Sequence, residues 1–373
     1  MIEVSPQDRI PRRRNRTFPI VLVVVALMLG GGAFWYVTSQ NERLSPVYSQ
    51  LGIEPLPITV AWQPNVQARL DQLMREPCYR DAVVKLANEL LAADYPREAA
   101  TGLRTFADRC GGAPEVLPLA YEAFNRVGDF AGALDIAKRL VDAAPENGTF
   151  RYWRADAYDQ VGDHAHALND YMNSIELVGN LRFVVGDAFL KLARAYDKLD
   201  RPCDAIAPLE RYVSLDPAGR RTPQMSKIIS EYAEKGHCAS HYANGTARIA
   251  FAADSGVHLV PVVINGVTGN FILDTGASFV AVTSQFAAKA KITVEAGNQV
   301  TIQTAGGKIL AEIAYARSVD VGKTEASGVV VVVSRDVETP FGPRVDGLLG
   351  MSFLSRFNLN LKPNGIELTA VPL

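Results

Sequence analysis

Gly128-Asp-Phe-Ala-Gly-Ala133 returns 34 residues later as Gly162-Asp-His-Ala-His-Ala167, and Phe124 returns at the same interval as Tyr158. A chain that repeats at this period stacks small units, because each exposes an apolar face that only its neighbour can cover. Apolar residues three and four apart, as in Val83, Val84, Leu86, Leu90 and Leu91, make each unit a pair of helices. A third copy runs through Phe189, Leu192, Ala193, Tyr196, Ala205, Leu209, Tyr212 and Pro217. It is displaced by four extra residues and has Asp200 where the earlier copies have the turn glycine. Pro145 lies where such a unit ends, and Cys78 to Cys110 read as a degenerate earlier pair that caps the array.

These units resemble tetratricopeptide repeats, expected over residues 66–238. The resemblance implies a concave groove that binds a partner protein or peptide, with a plain spacer as the alternative. The small alanines fall where paired helices approach closely, so this stripe is core rather than a cofactor site. His237 and His241 have metal-ligand spacing, but no further ligands follow to complete a tetrahedral site, and the segment reads as a helix end running into a linker over 239–246.

The first 65 residues divide by composition. Arg9, Arg12, Arg13, Arg14 and Arg16 lie in a basic tail, 1–17, before a run from Phe18 to Val37 without a charged side chain. Twenty residues at about 1.5 Å each span a hydrocarbon core of about 30 Å. Arginines before the run and Trp35 and Tyr36 at its far end predict a single-pass helix over 18–37 in a bacterial inner membrane, with everything beyond it periplasmic. A cleaved signal peptide is the alternative, although the run is longer than the usual apolar core of such peptides. Residues 38–65 contain Pro46, Pro55, Pro57 and Pro64 and read as an irregular tether. A net charge of −2, with no broad basic stripe past the N-terminus, excludes nucleic acid as the expected partner. Four cysteines in an oxidising compartment predict disulfides, and of the three connectivities Cys78 with Cys110 and Cys203 with Cys238 is preferred because each closes a local helical pair.

After Thr246 the periodicity becomes that of short strands, so the chain is expected to be multidomain, with an all-β, barrel-like domain over 247–373. Asn265-Gly266 and Pro363-Asn-Gly365 mark turns, Gly306 and Gly307 sit in a second glycine-rich hairpin, and Val329 to Val333 reads as a buried strand. Within this domain the apolar run Phe271-Ile-Leu273 delivers Asp274 onto a turn with Thr275, Gly276, Ala277 and Ser278, and Val345-Asp-Gly-Leu-Leu-Gly350 follows downstream.

The two segments together resemble the retropepsin-like aspartic proteases, in which an Asp-Thr-Gly-Ala turn is braced by a hydrophobic-hydrophobic-Gly element. Here that element is Leu348, Leu349 and Gly350. The resemblance covers about the last third of the chain and implies a peptidase acting on protein or peptide substrates, without cofactor or metal, in which Asp274 is catalytic. It also implies that Thr275 pairs across a dimer and that Gly276 allows close backbone approach, while the Gly306-Gly307 hairpin lies at the flap position. Retroviral enzymes carry an arginine after the brace, where this chain has Met351, which leaves the dimer contacts open. Such hydrolysis needs two carboxylates in one site. Asp254 reads as part of a hairpin turn, Asp346 as a structural residue, and the region is too short for two lobes, so the second aspartate is expected from a second copy of the chain. A silent peptide-binding scaffold built from the same two domains is the competing reading, and a lipid- or small-ligand-binding barrel a third that leaves the Asp-Thr-Gly turn unexplained.

Overall fold

The computed structural model describes residues 42–177, 186–238, 243–250, 258–304, 307–334, 340–362 and 364–371. They form two compact units, one ending at Gly128 and one beginning at Asp129. The division falls inside the helical array. The expected membrane span over 18–37 lies outside the described residues, among which no helix is long and apolar enough to cross a membrane.

The first unit holds α1 (42–51), α2 (Ile58–Ala61), α3 (Pro64–Arg75), α4 (Arg80–Ala92), α5 (Pro96–Arg109) and α6 (Leu117–Val127). Helix α1 corrects the expected tether over 38–65. Leu44, Val47, Tyr48 and Leu51 follow helical spacing and are buried. Pro46 lies within this helix. The Cys78–Cys110 disulfide joins the turn before α4 to the end of α5.

The second unit begins with α7 (Phe130–Ala143), α8 (Gly148–Gln160), α9 (His164–Glu176), α10 (Gly186–Lys198), α11 (Pro202–Ser214), α12 (Pro217–Arg220) and α13 (Pro223–Gly236). The Gly-Asp signature of the repeat has a plain cause. Gly128 and Gly162 take left-handed backbone angles, φ 76° and 84°, that end one helix. The following Asp129 and Asp163 cap the next helix by accepting from the backbone N–H groups of Gly132 and His166. Asp94 and Asp200 adopt the same left-handed angle, at φ 66° and 58°. Asp94 stands one full period before Gly128, which places the degenerate Cys78 to Cys110 pair in register with the others. Cys203 and Cys238 are joined, tying the first turn of α11 to the end of α13.

The strands are β1 (Thr246–Ala250), β2 (Leu259–Ile264), β3 (Val267–Leu273), β4 (Val280–Thr283), β5 (Val294–Thr304), β6 (Gly307–Val321), β7 (Thr324–Ser334), β8 (Gly347–Leu349), β9 (Phe357–Lys362) and β10 (Gly365–Ala370), with short helices α14 (Ser284–Lys289) and α15 (Met351–Leu354). Six strands close in the order β2-β3-β8-β4-β7-β6, where β6 returns to β2 with Val319 opposite Ile264. Strand β5 extends from β6 outside this ring, and β1, β10 and β9 form a separate three-stranded sheet. Asn265 and Gly266 both have positive φ, as a two-residue hairpin turn between β2 and β3 requires.

Two apolar clusters explain why the valine run of β7 is unbroken. Val329, Val331 and Val333 point into the barrel beside Val262, Phe271 and Leu349. Val330 and Val332 point the other way, into a cluster shared with Phe189, Leu192, Tyr196, Ile206 and Leu209 of α10 and α11. A strand alternates its side chains between faces, so continuous burial means both faces are covered. The later helices are thus the second layer of the barrel wall. Arg201 stacks on the Tyr315 ring with its guanidinium 3.8 Å from the ring centre, and burial pushes the Tyr315 hydroxyl above its usual range despite this cation.

Candidate active site

The aspartate turn is fixed by backbone pairing on both flanks. Strand β8 inserts between β3 and β4, parallel to the first, with Leu273 beside Leu349, and antiparallel to the second. Asp274 N–H donates to the Leu349 carbonyl at 3.1 Å, and Met351 and Ser352 donate from their N–H groups to the carbonyls of Ala277 and Ser278 at 2.8 and 2.9 Å. The chain from Ala277 to Phe279 therefore crosses directly over Gly350. A Cβ at Gly350 would sit 2.1 Å from the Phe279 carbonyl oxygen, and one at Gly347 2.0 Å from that of Ala281. This close approach is the physical content of the hydrophobic-hydrophobic-Gly brace. Its two leucines divide between the cores: Leu349 is fully buried in the barrel, while Leu348 packs toward the helices.

Within the turn, Asp274 Oδ1 accepts from the N–H groups of Gly276 at 2.8 Å and Ala277 at 3.2 Å. The carboxylate is thereby aimed while its other oxygen has no hydrogen bond among the described residues. Thr275 and Gly276 are exposed. Ser352, which the sequence reading missed, donates from Oγ to the Val330 carbonyl at 2.7 Å and accepts from Val280 N–H at 2.8 Å, anchoring the far end of the turn to β7.

Asp346 has the structural role expected of it. Its Oδ2 accepts from Asn270 N–H at 2.8 Å, its own N–H donates to the Asn270 carbonyl, and its carbonyl accepts from Thr283 N–H. Asp254 lies outside the described residues. In the glycine-rich hairpin between β5 and β6 Gly307 pairs with Thr304, whereas Gly306 lies outside the described residues. Among the described residues no group of three or more His, Cys, Asp or Glu is arranged to hold a metal ion.

Side chains from the helical array also reach the site. Glu176, at the end of α9, accepts from the Ser278 hydroxyl. Arg211 of α11 donates to Glu176 Oε1 and to Ser278 Oγ, each at 2.5 Å. The Glu176 and Arg211 side chains are only 8% and 10% exposed. Met351, which stands where retroviral enzymes have arginine, lines a small apolar cavity together with Arg211, Ser278 and Phe279. An arginine thus reaches the turn from a helix. One turn before Glu176, Asn173 donates from its amide nitrogen to the Gln299 carbonyl at 2.9 Å and accepts from Thr301 N–H at 3.0 Å, closing the backbone of β5.

Residues 260–353 match the model of an aspartyl protease family. Among solved structures, a retropepsin-like aspartic protease from Rickettsia conorii is 28% identical, over 33% of this chain and 90% of that one, with a TM-score of 0.26. MamA from Desulfovibrio magneticus is 12% identical, over 42% and 86% of the two chains, with a TM-score of 0.36. The TPR2B domain of yeast Sti1, solved in complex with pHsp70, is 17% identical over 33% and 97%, with a TM-score of 0.28. No match was found among curated proteins.

Proposed function

We propose that this chain is a membrane-anchored aspartic endopeptidase. Water is the nucleophile, and the site forms when two copies each supply Asp274. The observation that carries this reading is the Asp274 carboxylate itself, held through one oxygen by two backbone N–H groups and braced from below by Gly350. In such a site one carboxylate takes a proton from the water while the other, protonated, donates to the scissile carbonyl, so the two must share a proton. The one nearby acid that the sequence suggested as an alternative and that the structure describes, Asp346, is spent on Asn270. A second Asp274 supplies what is missing, and the exposed Thr275 is free to pair across the twofold axis.

The remaining parts follow from the same reading. Residues 18–37 anchor the chain, the helical array recruits a substrate or partner protein, and the β5–β6 hairpin closes over the bound peptide. A peptide-library digest by a fragment beginning at Asn41, from about pH 4 to about pH 7, should show cleavage that Asp274→Asn abolishes. Peptide binding without cleavage by the wild-type fragment would make it a scaffold instead.

A further inference from the structure

We propose that Glu176 and Arg211 are positioning residues for the aspartate turn, so that the last helices of the array are part of the active site and not merely attached to it. This rests on the peptidase reading of Asp274.

Ser278 lies four residues after Asp274. Its backbone carbonyl is held from the barrel side by Ser352 N–H, and its hydroxyl is held from the helix side by Glu176 and Arg211. The peptide groups between Asp274 and Ser278 supply the two N–H donors that aim Asp274 Oδ1. Release of Ser278 would let the backbone at 276–278 shift and carry the Ala277 N–H away from the carboxylate. The Arg211 guanidinium lies 6.0 Å from the ring centres of both Phe189 on α10 and Phe279 on the turn, so aromatic rings from the helix side and from the turn flank the cation. Stability alone does not account for the arrangement, because apolar side chains of similar volume are commonly as stabilising as a buried ion pair. What a planar guanidinium and a carboxylate add is direction: together they hold one hydroxyl from two sides. Asn173 adds a second fastening on α9, to the strand that leads into the flap hairpin.

The test uses the full-length chain carrying Glu176→Gln, Arg211→Lys, Ser278→Ala or, as a control on an exposed helical face, Lys227→Ala. Two quantities are read: amide exchange over 271–279, and kcat and KM on one peptide substrate. Misplacement of a reacting group by about 1 Å can cost on the order of 100-fold in rate. Glu176→Gln and Ser278→Ala should therefore lower kcat by roughly 10- to 100-fold with KM nearly unchanged, and should speed exchange of the turn amides. Arg211→Lys, which keeps the cation but loses the fork, should fall between these variants and wild type, and Lys227→Ala should match wild type. Ser278→Ala leaves the Glu176–Arg211 pair intact, so it decides the matter even where Glu176→Gln misfolds. Wild-type kcat and wild-type exchange in folded Ser278→Ala would overturn the proposal. If the wild-type chain cleaves nothing, the peptidase reading fails by itself, and turn exchange still decides whether the helices position the turn.

Discussion

Helices α7 and α9 occupy the same place in successive repeats, yet their outward residues differ in what surrounds them. The positions of Asn173 and Glu176 on α9 correspond, one period earlier, to Arg139 and Asp142 on α7. Arg139 is 37% exposed, with its in-helix partner Asp135, and Asp142 is exposed. Asn173 is buried against β5, and Glu176 sits under the aspartate turn. The repeat pattern dictates which face of each helix stacks on its neighbours. Residues off that pattern decide whether the opposite face meets water or a second layer.

The comparison can be broken by equivalent substitutions on the two helices. Glu176→Ala should have the largest effect. It removes the carboxylate that a buried arginine and the half-buried Ser278 hydroxyl both engage, and denaturant unfolding of the second unit should report a loss of about 3 to 5 kcal/mol. Asp142→Ala should stay within about 0.5 kcal/mol of wild type. Equal costs at the two sites would mean that the α9 pair is no more buried in solution than its counterpart.

A smaller effect is expected one turn earlier. Asn173→Ala leaves the Gln299 carbonyl and the Thr301 N–H without their partner at a largely covered edge, at about 1 to 3 kcal/mol, with faster amide exchange at Thr301. Arg139→Ala removes a surface contact, worth at most about 1 kcal/mol. Unchanged exchange at Thr301 would show that α9 does not cover β5.

Much of this was legible in the sequence, for reasons that also mark the limits. The repeat was readable because glycine and aspartate have separate jobs, ending one helix and capping the next. It faded at Asp94 and Asp200, where aspartate takes the left-handed angle that glycine usually supplies. Helix α1 was hidden by Pro46, although Leu44, Val47, Tyr48 and Leu51 carry the helical spacing. Asp274, its glycine turn and the Leu348-Leu349-Gly350 brace were readable because their chemistry is local or falls in a short motif. Glu176 and Arg211 were not, since they lie 102 and 67 residues from Ser278 and belong to helices whose pattern reports only helix-on-helix packing. One signal did point toward them. Five consecutive valines in β7 require cover on both faces of the sheet, and among the described residues the helical array provides it on the outer face.

The central claim, that catalysis requires Asp274 from two chains, is tested most directly by measuring specific activity as the enzyme is diluted and as wild type is mixed with excess Asp274→Asn chains. Membrane anchoring would raise the local concentration of a weak dimer, so the soluble fragment is the sensitive form for this experiment. The account predicts that specific activity falls on dilution below the dimer dissociation constant, and that excess Asp274→Asn suppresses wild-type activity through inactive mixed dimers. Constant specific activity from a species that sediments as a monomer, indifferent to added Asp274→Asn, would contradict it and would require a second catalytic acid within one chain.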